Sequence, residues 1–262
     1  MVLLVAMPSI MLPGVTAEAA QIAMFLALAA GGLVFVEYRS ESPSFIAFRD
    51  APPVNRIRIL TLGATVVLVT LVSREALDPN PAAPILATLG SVFGAALDFP
   101  FSPVRLMTLL VPPTADVAQL ETLRAAAGLA YAIGLASILA FSLILRALDW
   151  PLANGAFNVW INLPTFEPTG GGDVLQRLER DAHINVALGF LLPFLIPATL
   201  QVVAPGVVLL NPAEPQTAIW IISAWGFLPA SLIMRGIALT RVVQLIAEKR
   251  RRAYRQAGAH VA

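Results

Sequence analysis

The chain has 262 residues, of which 58% are hydrophobic and only 13% are charged, and its mean hydropathy is +0.79. Soluble domains are about 25% charged, so this composition is typical of a membrane protein. A net charge of +1 gives no general attraction to nucleic acid, which is therefore not an expected partner. The absence of cysteine excludes disulfides, thiolate metal sites and cysteine nucleophiles.

Five segments are apolar and long enough to cross a bilayer, which takes about 20 helical residues. We therefore predict an all-α fold, a polytopic integral membrane protein in which residues 1–262 form a single transmembrane domain. The apolar segment 1–12 is interrupted by Pro8 and followed by Pro13, and we expect it to lie along the outer interface. The predicted spans are residues 17–38, 57–73, 116–148, 184–203 and 217–246.

Residues 84–112 break the pattern of long spans. An apolar stretch, ILATLGSVFGAAL, is followed by DFPFSP and then by a run too short to cross. We interpret this region as a short helical hairpin, either re-entrant or interfacial. Asp98 and Arg105 flank its turn and are candidate intramembrane charges if the hairpin enters the bilayer. The interfacial interpretation is favoured, because charges deep in a membrane are costly and rare.

The arginines predict the orientation of the chain. Four of them follow the first predicted span, and the basic tail 247–262 follows the last one. Alternating the five spans brings both clusters to one side, as the positive-inside rule requires if the N-terminus is outside and the C-terminus is cytoplasmic. The use of one lysine against sixteen arginines indicates a GC-rich bacterial genome, so we expect a bacterial inner membrane. The same alternation places these arginines inside: Arg39, Arg49, Arg146, Arg177 and Arg180. It places three arginines outside, namely Arg74, Arg105 and Arg124.

Small residues recur every fourth position in several of the apolar segments. Such spacing favours close packing of helices in membranes. These helix-packing candidates are Ala23, Ala27 and Gly31 in the first span, Gly90 and Gly94 in the hairpin, and Gly128, Ala132, Ala136 and Ala140 in the third span.

Basic residues beside the spans are expected to anchor the chain to anionic lipid, although an acidic partner protein would suit the same charges. Bound membrane lipids are therefore expected. Arg235 lies within the last span, where it could extend toward the inner headgroups, pair with Glu37, or do both. The segment after Asp173, VLQRLERD, is predicted to be a short cytoplasmic amphipathic helix with Asp173 as its N-cap. The anchoring candidates are Arg56, Arg58, Lys249, Arg250, Arg251 and Arg252.

His183 is a weak candidate for binding a cofactor. It lies at the predicted entrance of the fourth span, beside Asp181 and Asn185. A histidine there could hold a tetrapyrrole or a metal, or respond to pH. The alternative is a polar residue that caps its helix at the level of the headgroups. We favour this alternative and predict no cofactor.

No catalytic signature is present, since HExxH, GxSxG, Walker A and Rossmann glycine motifs are all missing. We therefore do not expect an enzyme, and an intramembrane enzyme ranks third among the hypotheses. The first hypothesis is a non-catalytic accessory, assembly or scaffolding subunit that packs against other integral membrane subunits. The second is a small-solute transporter or channel, with a broken-helix site near Asp98 and Arg105 and near Pro193 and Pro197.

Overall fold

The computed structural model of the chain is all-helical over the residues it describes. These are residues 1–41, 44–79, 84–151, 157–164, 173–203, 210 and 214–259. The helices are α1 (Val2–Met11), α2 (Ala17–Arg39), α3 (Val54–Leu77), α4 (Pro84–Leu97), α5 (Pro103–Thr108), α6 (Val117–Ala147), α7 (Val159–Asn162), α8 (Val174–Val203) and α9 (Pro215–Ala259).

Five of these helices, α2, α3, α6, α8 and α9, are long and apolar enough to span a membrane. The sequence therefore predicted the number and the type of the long helices correctly. The predicted hairpin 84–112 consists of α4 and α5, which are joined by a short turn. Hydropathy located these elements because each is a run of apolar residues ended by proline, charge or a capping residue.

The start of α8 differs from the prediction. The helix begins at Val174 instead of residue 184, so the segment VLQRLERD forms its first turns and is not a separate amphipathic helix. The stretch from Val174 to Asn185 contains no glycine or proline, so nothing in it interrupts the helix. In the same way α9 continues through the basic tail as far as Ala259.

The bundle is organised around α6 and α9. Helix α6 contacts α3, α4, α5 and α9, and α9 in turn packs on α3 and along α8. Two apolar clusters fill the interior. One is built around Val69, Met107, Ala126, Ile222 and Trp225. The other, toward the opposite end, is built around Phe48, Phe141, Trp150, Leu178 and Met234.

Glycines allow the backbones of these helices to approach closely. A Cβ atom added to Gly128 of α6 would lie 2.5 Å from the Cα of Gly94 in α4. A Cβ atom on Gly134 would lie 3.0 Å from the carbonyl oxygen of Gly226, where α6 meets α9. One on Gly189 would lie 2.7 Å from the carbonyl oxygen of Pro229, where α8 meets α9. Any larger side chain at these positions would force the helices apart.

Segment 1–12, which the sequence predicted to lie along the outer membrane interface, forms α1 and packs on α2 and α3. It runs alongside α2, where a Cβ atom on Gly31 would lie 2.5 Å from Cγ2 of Val2. Ala23 and Ala27 are buried in the same contact surface, and Leu4 faces Gly63 of α3. The small-residue face of α2 therefore receives a helix of the same chain, and Pro8 is accommodated within α1.

One end of the bundle, the basic end, gathers segments that are distant in sequence. The rings of Phe48 and Trp150 meet with their centroids 5.8 Å apart. The backbone N–H of Asp50 donates to Oδ1 of Asn162 over 3.1 Å. The first turns of α8 and the last turns of α9 lie at this end as well, joined by an ion pair between Asp173 and Arg250. These are the segments that the distribution of arginine assigns to one side of a membrane.

Replacing Gly128 with leucine is expected to lower the free energy of unfolding by about 1–3 kcal/mol, because the new side chain overlaps the backbone of α4. Unfolding of the purified protein in detergent, followed by circular dichroism, measures this change. Ala136→Leu is the matched control, since Ala136 is exposed on the same helix, and should change stability by no more than about 0.5 kcal/mol. Equal losses in the two variants would contradict the described packing of α4 on α6.

Candidate functional site

The charges of the hairpin form a cluster of three residues. The side chain of Asp98 is only 7% exposed, and its Oδ1 lies 2.7 Å from Nε of Arg105. Its other carboxylate oxygen lies 3.8 Å from Nη1 of Arg124 in α6. Ser102 caps α5, because its Oγ accepts the backbone N–H of Arg105. The cluster therefore ties the turn of the hairpin to α6.

The distance of this cluster from the end of the bundle follows from the position of Arg124 in α6. This arginine lies about 10 Å from the start of α6, given a rise of about 1.5 Å per residue. The two sequence candidates, Asp98 and Arg105, are indeed neighbours, but they lie near the end of the bundle that is opposite the basic end. Sequence reasoning did not connect Arg124 with them, since only the packing of α4 on α6 brings it there.

The proline break in α8 is a point where α8 is hydrogen-bonded to α9. Pro197 has no N–H, so the carbonyl oxygen of Pro193 loses its ordinary partner in the helix. Nε1 of Trp225 in α9 donates to that oxygen over 3.1 Å. The indole of Trp225 also stacks on Tyr131 of α6, with ring centroids 5.8 Å apart. The cavity beside this proline break measures about 100 Å³. The freed carbonyl oxygen already has a hydrogen-bond donor in Trp225.

Glu37 organises the loop that follows α2. Its side chain is buried and accepts hydrogen bonds from the backbone N–H groups of Ser44, Phe45 and Ile46 at 2.6, 2.7 and 3.0 Å. The guanidinium of Arg49 donates to the carbonyl oxygens of Glu37 and Ser40. The predicted pair between Glu37 and Arg235 is therefore wrong, because the carboxylate of Glu37 is taken up by amides of its own loop.

Arg235 lies beside Arg58 of α3 instead, close enough for their like charges to interact. Nε of Arg58 donates to Oγ of Ser231 over 2.9 Å, and its Nη1 lies 3.4 Å from Oδ1 of Asn55. Both of these partners of Arg58 are neutral. Two guanidinium groups therefore come together between α3 and α9, near the basic end. The exposed Arg56 lies half a turn earlier on α3.

Among the described residues, one ion pair joins the basic tail to the start of α8. Nη2 and Nη1 of Arg250 reach Oδ1 and Oδ2 of Asp173 at 2.9 and 3.1 Å, which is the bidentate geometry preferred by arginine and carboxylate. These hydrogen bonds, together with the backbone N–H of Leu175, hold the pKa of Asp173 below its ordinary value. Lys249, Arg251 and Arg252 are exposed around this contact. The tail therefore presents its remaining charges outward.

His183 is exposed on the third turn of α8, so it does not cap that helix as the sequence had suggested. Instead, the carboxylate of Asp173 accepts the N–H of Leu175 at the start of α8, as predicted for an N-cap. Among the residues that the structure describes, no group of three histidine or acidic side chains could hold a metal ion. The described surroundings of His183 therefore give no support to a metal site there.

The small-residue candidates separate into two groups. Gly90, Gly94 and Gly128 lie in the contact between α4 and α6. Ala132 is half-buried, and Ala136 and Ala140 are exposed. A spacing of four residues turns roughly 40° further around a helix at each step, so the stripe leaves the contact after two steps. The glycines at the α6–α9 and α8–α9 contacts were not predicted, although glycine inside an apolar helix is a signal for close packing.

Comparison with protein-family models, with curated proteins and with solved structures finds no match to this chain.

The contact between the tail and α8 is expected to depend on pH. Because the pKa of Asp173 is lowered, the contact is fully formed at neutral pH and is lost as the pH falls through that lowered value. The chain has no cysteine, so Tyr254→Cys gives a single labelling position one turn after Arg250. A spin label there should gain mobility only as the pH falls below about 4, the ordinary value of an aspartate pKa.

Asp173→Asn should make the same label mobile already at pH 7. Glu248→Gln is the matched control, because it removes an exposed carboxylate that only reaches Arg252, at 3.8 Å. A label that is equally mobile before and after the Asp173→Asn substitution would show that the ion pair does not hold the tail.

Proposed function

We propose that the protein is a non-catalytic accessory or scaffolding subunit of a larger complex in the bacterial inner membrane. In this proposal the five long helices cross the bilayer, with the N-terminus outside and the C-terminus in the cytoplasm. The observation that carries the proposal is the isolation of α2. Among the described helices, α2 contacts only α1, which has ten residues against the twenty-three of α2.

The free surface of α2 suits the packing of another helix. Phe25 and Phe35 are 71% and 65% exposed on it. Between them lies Gly32, and a Cβ atom on Gly32 would have no neighbour within 4 Å. Helices in membranes associate through close packing, because lipid tails are as apolar as the side chains. A glycine between two large rings offers such a groove, and the exposed Ala136 and Ala140 offer a second small-residue face on α6.

The positions of the charges support the same proposal. The carboxylate of Asp98 faces both Arg105 and Arg124. The carboxylate of Glu37 is bonded to the amides of its own loop. The carbonyl oxygen freed by Pro197 is bonded to Trp225. A transporter needs such groups to be available to a solute near the middle of the membrane. The features that favoured the transporter alternative are therefore used for packing within the chain.

The test is purification in a mild detergent through a C-terminal tag, followed by measurement of the native mass. We expect other integral membrane subunits in a fixed ratio to this chain. Gly32→Leu fills the groove on α2 and should reduce their retention roughly tenfold, as an overpacked contact implies. Ala187→Leu is the matched control, since Ala187 is an exposed small residue on α8, and should leave retention unchanged.

Recovery of the chain as a lone monomer or a homo-oligomer would contradict the proposal. Uptake of labelled solutes into proteoliposomes would then test the transporter alternative. Asp98→Asn and Arg235→Gln would be the first variants, since these residues carry the candidate intramembrane charges.

A further inference from the structure

A cleft of about 630 Å³ lies between the second half of α2 and the first half of α3, near the basic end of the bundle. The loop after α2 closes one side of it, and Phe227 of α9 lies at its back. This basic cleft has two chemically different parts. Its polar part is formed by Arg49, Asn55, Arg56 and Arg58, and its apolar part by Val34, Ile59, Leu62 and Phe227.

Two of the three arginines in the polar part, Arg56 and Arg58, have no carboxylate partner among the described residues. Arg58 bonds to the neutral groups of Asn55 and Ser231, and none of the described ion pairs includes Arg56. Nε of Arg49 reaches Asp50 over 3.3 Å, and its Nη1 is bonded to backbone carbonyl oxygens. None of the described residues that line the cleft carries a carboxylate. Its ligand should therefore be an anion.

The start of α3 adds to this preference. Its N-cap residue, Pro53, makes no side-chain hydrogen bond to the first turn. The backbone N–H groups of such a turn favour a negatively charged oxygen. Guanidinium groups also bind phosphate oxygens with two parallel hydrogen bonds, so a phosphate suits both Arg56 and Arg58.

The apolar part decides between a soluble anion and a lipid. Ile59 and Leu62 continue along α3 from Arg58, and they line the same cleft opposite Val34 of α2. From Arg56 to Leu62 the cleft extends about 9 Å along the helix. A soluble phosphate would leave this part unfilled, whereas an acyl chain would occupy it. Basic pockets between membrane helices bind phospholipid headgroups in this manner.

We propose that the basic cleft binds one anionic phospholipid, with its phosphate at Arg56 and Arg58 and an acyl chain against Ile59 and Leu62. The lipid fills the space between α2 and α3, two helices that do not contact each other. It thereby supports a helix that, among the described residues, is otherwise held by α1 and by the loop bonded to Glu37. The proposal does not depend on the scaffolding role, because the site is complete in a single chain.

The experiment uses the purified full chain, stripped of lipid by detergent exchange and titrated in native mass spectrometry. We expect one phosphatidylglycerol to bind per chain, with phosphatidylcholine binding at least tenfold more weakly. Arg56→Gln combined with Arg58→Gln should weaken binding of phosphatidylglycerol roughly thirtyfold, from the usual contribution of two arginines to anionic lipid binding. Arg56→Lys with Arg58→Lys should weaken it less than the glutamine pair does, because lysine keeps the positive charge but not the two parallel hydrogen bonds.

Arg146→Gln with Arg180→Gln is the matched control, since it removes two exposed arginines outside the cleft and should leave binding unchanged. If the Arg58 variant does not fold, Arg56→Gln alone should still weaken binding about fivefold. Equal affinity for the two lipids, or equal weakening in the control, would overturn the proposal. Binding of inorganic phosphate as tight as that of phosphatidylglycerol would also overturn it, because the cleft would then be a site for a soluble anion.

Discussion

Contact between glycine-bearing helix faces is the constraint on which the rest of this structure depends. Lipid tails are as apolar as leucine, so helices in a membrane gain little from burying apolar surface against one another. They gain from close packing, and here that packing is concentrated where Gly94 meets Gly128 and where Gly134 meets Gly226. These two contacts fix α4 and α9 on α6. The first contact brings Asp98 close to Arg124, and the second places Trp225 on Tyr131.

The polar groups reinforce the glycine contacts. Among the described residues, few of them remain available to bind a ligand or to react. Asp98 holds the hairpin to α6, and Trp225 occupies the carbonyl oxygen that the proline break exposes. Glu37 shapes its own loop. What stays unused is surface: the groove at Gly32 and the basic cleft beside it. Both lie along α2, the helix at which we propose that a lipid and another subunit bind.

Sequence reasoning predicted the parts of the fold that depend on local composition. Runs of apolar residues located the five long helices and the hairpin, and the loops that the arginines assign to one side do meet at the basic end. The contacts that need three-dimensional packing were not predicted. Nothing local to Arg124 connects it with Asp98, and nothing local to Trp225 connects it with Pro193.

The errors have physical reasons of the same kind. The stripe from Gly128 to Ala140 looked continuous because every fourth residue is small, but that spacing rotates around the helix and leaves Ala136 and Ala140 exposed. Glu37 was matched to Arg235 by predicted depth alone, whereas its carboxylate reaches amides only seven to nine residues away. Segment 1–12 was placed at the interface because Pro8 and Pro13 interrupt its apolar run, whereas Gly31 of α2 leaves room for α1 to pack on α2.

If the chain crosses the membrane five times, both ends of the hairpin 84–112 lie on the same side of the membrane. Single cysteines introduced into this cysteine-free chain at Glu41, Asp78, Thr114 and Tyr254, all exposed, can be labelled with an impermeant maleimide from either side of the membrane. We predict that Asp78 and Thr114 label together from outside, and that Glu41 and Tyr254 label only from the cytoplasmic side. Labelling of Asp78 and Thr114 from opposite sides would mean that the hairpin crosses the bilayer and would contradict the account.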